Sequence, residues 1–195
     1  MTNDIFQHAP NATILSLDEK EGMIQPHILS RDELNRAEQA NILEAYEWVL
    51  TRNRDVTQVQ FLNMLHQRMF GRVWIWAGQY RKTGKNIGVD AYRIPHEVKL
   101  LCDDCAFWRD NGVYSPDEMA ARFHHRLVLI HCYPNGNGRH ARLAADVLLR
   151  SMGCVRFSWG ALGSKIPNEL RAAYIKALRD ADDHDYQALL HFVRS

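Results

Sequence analysis

The chain has 195 residues, 46% of them apolar and 24% charged, enough to bury one sizeable core and short for two, so a single domain over 1–195 is expected. Its 24 Lys and Arg against 23 Asp and Glu leave a net charge of +1, which excludes a broad basic field for nucleic acid or anionic lipid. No run approaches the ~20 apolar residues of a membrane span, and the start MTNDIFQHAPNA lacks a basic region followed by an apolar one, so no membrane partner and a cytoplasmic location are expected.

Residues 1–29 read as an extension ahead of a helical core over 30–195. Inside it Ser16 and Glu19 form a capping box for a short surface helix. Ser30 and Glu33 repeat the device before DELNRAEQANILEAYEWVL, where Leu34, Ala37, Ile42, Ala45 and Val49 recur at helical spacing and predict a helix over about 31–51. Thr57 is expected to cap a second helix, about 58–70, which Gly71 would end with a positive φ. The stretch WAGQYRKTGKNIGVDAYRIP, with Gly78, Gly84 and Gly88, breaks the helical pattern and predicts a small hairpin.

Helical pattern returns in IPHEVKLLCDDCAFW. Its Cys102 and Cys105 make a C-x-x-C, but no second pair exists to complete a zinc site, and with four cysteines and no secretion signal reduced thiols are expected. Ser115-Pro116-Asp117-Glu118 is an N-terminal cap for MAARFHHRLVLIH, a helix that should run into His131. RHARLAADVLLRSMG predicts another, with Leu143, Val147 and Leu148 inward and Gly153 as its stop, and two more follow near 167–181 and 185–193. The fold class is therefore mainly α, with a small β-hairpin.

Between two of these helices lies HCYPNGNGRHAR, residues 131–142. The first amides of the following helix lack carbonyl partners and its dipole is positive at that end, so the turn suits an anion. Gly136 and Gly138 keep side chains away from the backbone, and Arg139 and Arg142, three apart, can fork around the oxygens of a di- or triphosphate. A histidine beside such a cradle can take a proton from an incoming hydroxyl; the plainer alternative is that His131 packs or caps its helix. His124 and His125 carry no comparable context. A P-loop is excluded, because the stretch follows a helix and has no lysine.

HCYPNGNGRHAR resembles the signature of the Fic domain family, His-x-Phe-x-Asp/Glu-Gly-Asn-Gly-Arg-x-x-Arg, with Tyr133 at the aromatic position and Asn135 at the acid. WAGQYR with the following NIG, and YIKALRDADDHDYQALLHFV near the end, are similar to the family's hairpin segment and closing helices. The chain looks most like the group called mobile mystery protein B, found in mobile elements beside a helix-turn-helix partner. The resemblance implies a Fic-type helical domain and transfer of AMP from ATP to a Ser, Thr or Tyr hydroxyl of a protein, in a toxin-like setting. His131 would be the base, Gly136, Asn137 and Gly138 the anion hole, and Arg139 and Arg142 the binders of the outer phosphates. The hairpin, with Lys82, Thr83, Gly84, Lys85, Asn86 and Ile87, would be a flap that docks an extended target segment. Tyr174 and Asp182 would belong to the adenine pocket.

In the family the acid at position 135 holds Mg²⁺ or Mn²⁺ against the phosphates; Asn135 can coordinate but lacks the charge that offsets dehydration of the ion. Weaker metal dependence, a different nucleotide or phosphate donor, or a noncatalytic nucleotide-binding module follow as alternatives to AMP transfer. The related kinases usually have Lys where Gly138 stands, which favours nucleotide transfer. Many relatives are inhibited by a glutamate in Ser/Thr-x-x-x-Glu-Gly/Asn. In SLDEKEG, Glu21-Gly22 matches the end of that pattern while Leu17 takes the Ser/Thr place, so Glu21 would brake the enzyme by pairing with Arg142.

Overall fold

A computed structural model describes residues 15–162 and 167–195. Residues 1–14 of the expected extension lie outside them. Both capping boxes form. Ser16 takes the Glu19 amide while Glu19 takes the Ser16 amide, opening α1 (Leu17–Glu21), and Ser30 and Glu33 do the same for α2 (Arg31–Leu50).

The inward stripe of α2 differs from the expected one. Leu34, Glu38, Asn41, Ala45 and Val49 are buried, while Ala37 and Ile42 are only partly so. Two polar side chains thus occupy the face that spacing alone would fill with apolar ones, and both are satisfied there. Asn41 donates to the Arg68 carbonyl and accepts from the Arg72 amide, tying α2 to the end of α3 (Val59–Phe70).

Thr57 does not cap α3. Its hydroxyl and amide both go to Asp55, and Gln58 precedes the helix without a side-chain bond. Gly71 ends α3 at φ −70°, not in the left-handed region. A Cβ there would meet the Gln67 carbonyl oxygen at 2.5 Å, so close approach accounts for the glycine.

A short 3₁₀ turn, Ala91–Arg93, leads into α4 (Ile94–Asn111), which ends on Gly112 at φ 61°. Cys102 and Cys105 are buried along α4, and burial pushes both thiols up to about 12. No group of three or more His, Cys, Asp or Glu side chains able to hold a metal occurs among the described residues.

Helix α5 (Pro116–Ile130) stops one residue before His131, which adopts φ 56° and ψ 61° as its C-cap. Helices α6 (Asn137–Ser151), α7 (Pro167–Asp182) and α8 (Gln187–Arg194) complete the fold. α5 packs between α4 and α6 and against α8, α2 lies on α3, α3 on α6, and α7 pairs with α8. Phe70, Trp74, Phe123, Tyr133 and Leu148 are fully buried at the centre.

The predicted hairpin has no strand ladder: among the described residues the only β-pairing is the single antiparallel bridge Met23–Trp74. The segment after Arg81 is instead closed by one side chain. The Arg81 guanidinium donates to the carbonyls of His131 (2.6 Å), Thr83 (2.8 Å) and Val89, while the Arg81 and Val89 amides bond the Cys132 and Ile130 carbonyls. With the stem zipped through Arg81 and against the end of α5, residues 82–88 have no second strand to pair with.

Candidate functional site

A cleft of about 620 Å³ opens over the turn between α5 and α6. The turn supplies His131, Asn135, Gly136, Asn137 and Gly138; α6 adds Arg139 and Arg142; α7 adds Tyr174 and Asp182; the loop after Arg81 adds Asn86, Ile87 and Gly88. The structure therefore gathers into one cleft these residues, which lie up to 96 positions apart in the sequence, from Asn86 to Asp182.

The turn is held by its own side chains. Asn137 accepts from the Tyr133 amide at 2.9 Å and donates to the Tyr133 carbonyl at 2.8 Å, so its carboxamide staples the loop. What Asn137 offers an anion is its backbone amide. The first internal bond of α6 is His140 N–H to the Gly136 carbonyl, so the amides of residues 137–139 precede the helical ladder and face the cleft end of the dipole.

Gly136 sits at φ 80°, and a Cβ there would meet the Phe70 ring at 2.6 Å. Gly138 is different: the nearest atom to a Cβ is the Tyr174 hydroxyl at 3.8 Å, so the protein leaves that space open to the cleft. Tyr133, at the family's aromatic position, stacks on His66 at 3.7 Å between ring centres and donates its hydroxyl to Asn63.

His66 was not among the expected site residues. The Gly78 amide donates to its Nδ1 (3.0 Å), which puts its proton on Nε2, and Nε2–H donates to the Asn135 carbonyl at 3.0 Å. Burial holds this imidazole well below its ordinary pKa, so it stays neutral and keeps that tautomer.

His131 is buried at the rim of the turn. Burial, followed by the positive charges of Arg81 and Lys85, lowers its pKa to about 4. It is neutral at pH 7, the state a proton acceptor needs. Gly88, at φ 97°, packs directly against it, where a Cβ would come within 2.5 Å of the His131 Cβ.

Arg142 lies 4.7 Å over the Tyr174 ring, and its Nε is buried without a hydrogen-bond partner among the described residues. Arg139 donates to Glu38 of α2 at 2.6 Å. Between α5 and α7 the cleft is a slot lined by Val128, Leu129, Ile175 and Leu178 together with Arg171 and Arg179.

The two histidines that seemed featureless brace this slot. His124 shares a hydrogen bond of 2.9 Å with the Tyr174 hydroxyl, and His125 donates from Nε2 to Asp182 at 2.8 Å while Tyr186 donates to its Nδ1. His124 stands seven residues before His131, a helical repeat in the sequence that could have flagged it, although His131 itself has left the helix.

The donor set does not suit a divalent ion. Asn135 Oδ1 already accepts the Gly136 amide at 2.6 Å, Glu38 is committed to Trp74 and Arg139, and Asp182 of α7 is held by His125. The loop offers no anionic oxygen to Mg²⁺ or Mn²⁺.

Glu21 is exposed at the end of α1, and no hydrogen bond or ion pair joins it to Arg142 among the described residues. The buried acid of α1 is Glu19, whose carboxylate meets Lys85 at 2.5 Å and Thr83 at 3.1 Å. α1 therefore reaches the site through the loop after Arg81 and not through Arg142.

A helix end, a left-handed histidine, a stapled glycine turn and a second helix carrying two arginines define the class of site. Residues 56–149, just under half of the chain, match the Fic/DOC family. A protein adenylyltransferase Fic from Drosophila grimshawi is 30% identical over 134 residues, covering 66% of this chain and 26% of that protein. The chain thus spans about a quarter of the length of the curated relatives it matches. BepC of Bartonella tribocorum, solved with bound AMPPNP, shares the fold at a TM-score of 0.67 and 16% identity, over 99% of this chain and 96% of that one. Fic-1 of Caenorhabditis elegans (residues 134–508, E274G) does so at 0.64 and 24%, over 90% and 51%. No helix among the described residues is long and apolar enough to cross a membrane.

Proposed function

We propose that the chain is a nucleotidyltransferase that moves AMP from ATP to a Ser, Thr or Tyr hydroxyl of a protein. The observation that carries this reading is a buried neutral imidazole, His131, in one cleft with the open amide end of α6, two of its arginines and the apolar side chains of Val128, Leu129, Ile175 and Leu178. The triphosphate lies along the amides of residues 137–139 with Arg139 and Arg142 on its outer oxygens, and the base enters the slot bounded by Tyr174, Ile175 and Leu178. Asp182, braced by His125, faces the base end.

His131 takes the proton of the target hydroxyl as its oxygen bonds to the α-phosphorus. The bond from that phosphorus to the bridging oxygen breaks, and pyrophosphate leaves with the pair of electrons. The loop after Arg81, residues 82–88, holds the target segment over His131 by backbone pairing. Under the same reading the chain acts in the cytoplasm, and a helix-turn-helix protein is the partner to seek. The curated relatives named adenylyltransferases and the AMPPNP-bound neighbour support the choice of ATP.

Incubation with α-labelled and, separately, γ-labelled ATP tests it. Label on protein from the α-phosphate alone is the expected result. Label from the γ-phosphate makes the reaction phosphorylation, and binding of ATP with neither label makes the chain a nucleotide-binding module, the reading that Asn135 favours.

A further inference from the structure

We infer that Glu38 is a positioning residue for the phosphate end of the cleft, acting through Arg139 from a helix that precedes the segment matched by the family. This rests on the proposed binding of ATP at that end.

Glu38 lies on α2, outside residues 56–149, on the buried stripe where spacing calls for an apolar side chain. A carboxylate in such a place is costly unless each oxygen finds a partner, so its presence asks for a reason. Both oxygens are used. Oε1 accepts Trp74 Nε1–H at 2.7 Å, and Oε2 accepts Arg139 Nη1–H at 2.6 Å.

The two members of the ion pair differ in surroundings. The Glu38 side chain is 3% exposed and the Arg139 side chain 38%. The carboxylate is therefore an anchor inside the fold, and the guanidinium is the part that meets the cleft. Phe70 lies beneath it, 4.8 Å from the guanidinium carbon to the ring centre, and the same ring is what a Cβ on Gly136 would strike.

Arginine has five N–H donors in a planar fork, so a bond from Nη1 to Glu38 leaves others for phosphate oxygens. It also removes most of the rotamer freedom that a free arginine would lose on binding. Trp74, Glu38 and Arg139 thus form a chain of bonds running from the core to the cleft, and Glu38 has no direct contact to make with ATP.

The test is equilibrium binding of ATP to the full chain as wild type, E38Q, R139Q and the double variant, each with a melting curve. Wild type is expected to bind, E38Q to bind about tenfold more weakly, the loss of one charge-assisted bond's worth of order, and the double variant to bind no more weakly than R139Q. If E38Q does not fold, the comparison of R139Q with the charge-neutral double variant still reads the effect, and equal affinity is expected. Unchanged or tighter binding by E38Q overturns the inference, as does a further loss from E38Q on top of R139Q. Absence of ATP binding by the wild type overturns the proposed function and this inference together, whereas failure of the Glu38 effect alone leaves the function standing.

Discussion

The two loops that meet over His131 are held in opposite ways. Residues 131–142 are fixed by neutral hydrogen bonds and close packing: Asn137 staples Tyr133, Gly136 fits its backbone against Phe70, and His66 of α3 holds the Asn135 carbonyl. Residues 82–88 are fixed from outside, by Arg81 across the stem and by Glu19 of α1 on Thr83 and Lys85. On the proposed function the first must cradle charge, which needs preset amides, and the second must receive a chain, which needs a firm base and a replaceable grip.

That contrast can be broken at either loop. Gly136→Ala should have the largest effect, because it demands both a positive φ and space occupied by the Phe70 ring. A stability loss of about 2–4 kcal/mol and ATP affinity reduced more than tenfold are expected, read by melting and by titration. Arg81→Met should come next. It leaves the buried His131 carbonyl and the more open Thr83 and Val89 carbonyls without their donor, costing about 1–3 kcal/mol, and it should abolish transfer to a protein while ATP binding stays within about threefold.

R139Q should lose about 1–3 kcal/mol by leaving Glu38 unpaired, a cost the double variant with E38Q restores. Gly84→Ala should change stability by less than about 0.5 kcal/mol, since nothing lies within 4 Å of the added methyl.

Acid separates the loops further. The pKa values of His66, His124, His131 and His140 are all lowered by burial, to about 3 for His124 and about 4 for His131 and His140. An unfolded chain would take these protons near 6.5, so stability should fall as pH drops from 6.5 toward 4. Asp146, raised to about 6 by burial, works in the other direction but is a single group. Glu19 gives way later. Burial alone would raise it, but the bonds from Lys85, Ser16 and Thr83 hold it below 4.5, so its contribution is lost only as pH falls under that value. Melting curves between pH 7 and 4 should therefore decline before the α1 grip on the flap is released.

The difference also explains what the sequence made legible. The turn was readable because the residues that shape it are local: two glycines, two arginines and a histidine within twelve positions. The starts of α1, α2 and α5 were readable for the same reason, the caps Ser16, Ser30 and Ser115 lying three residues from the amides they accept. The flap was misread as a hairpin because its stem depends on Arg81 reaching the carbonyl of His131, 50 residues away. Glu38 was hidden because it sits among apolar positions on α2, and its partners Trp74 and Arg139 are 36 and 101 residues distant. Glu21 matched a pattern by its neighbours in the chain, whereas the fold buries Glu19 two residues earlier. Local chemistry can be read from spacing, and contacts between α1, α2 and the site cannot.

The most direct measurement is transfer of α-labelled phosphate from ATP to protein by the wild type and by His131→Ala, with ATP binding measured for both. The predicted result is labelling by the wild type, a loss of at least about 100-fold in the variant, and ATP affinity unchanged within about threefold. Equal labelling by the two proteins, or no labelling by a wild type that binds ATP, would contradict the account.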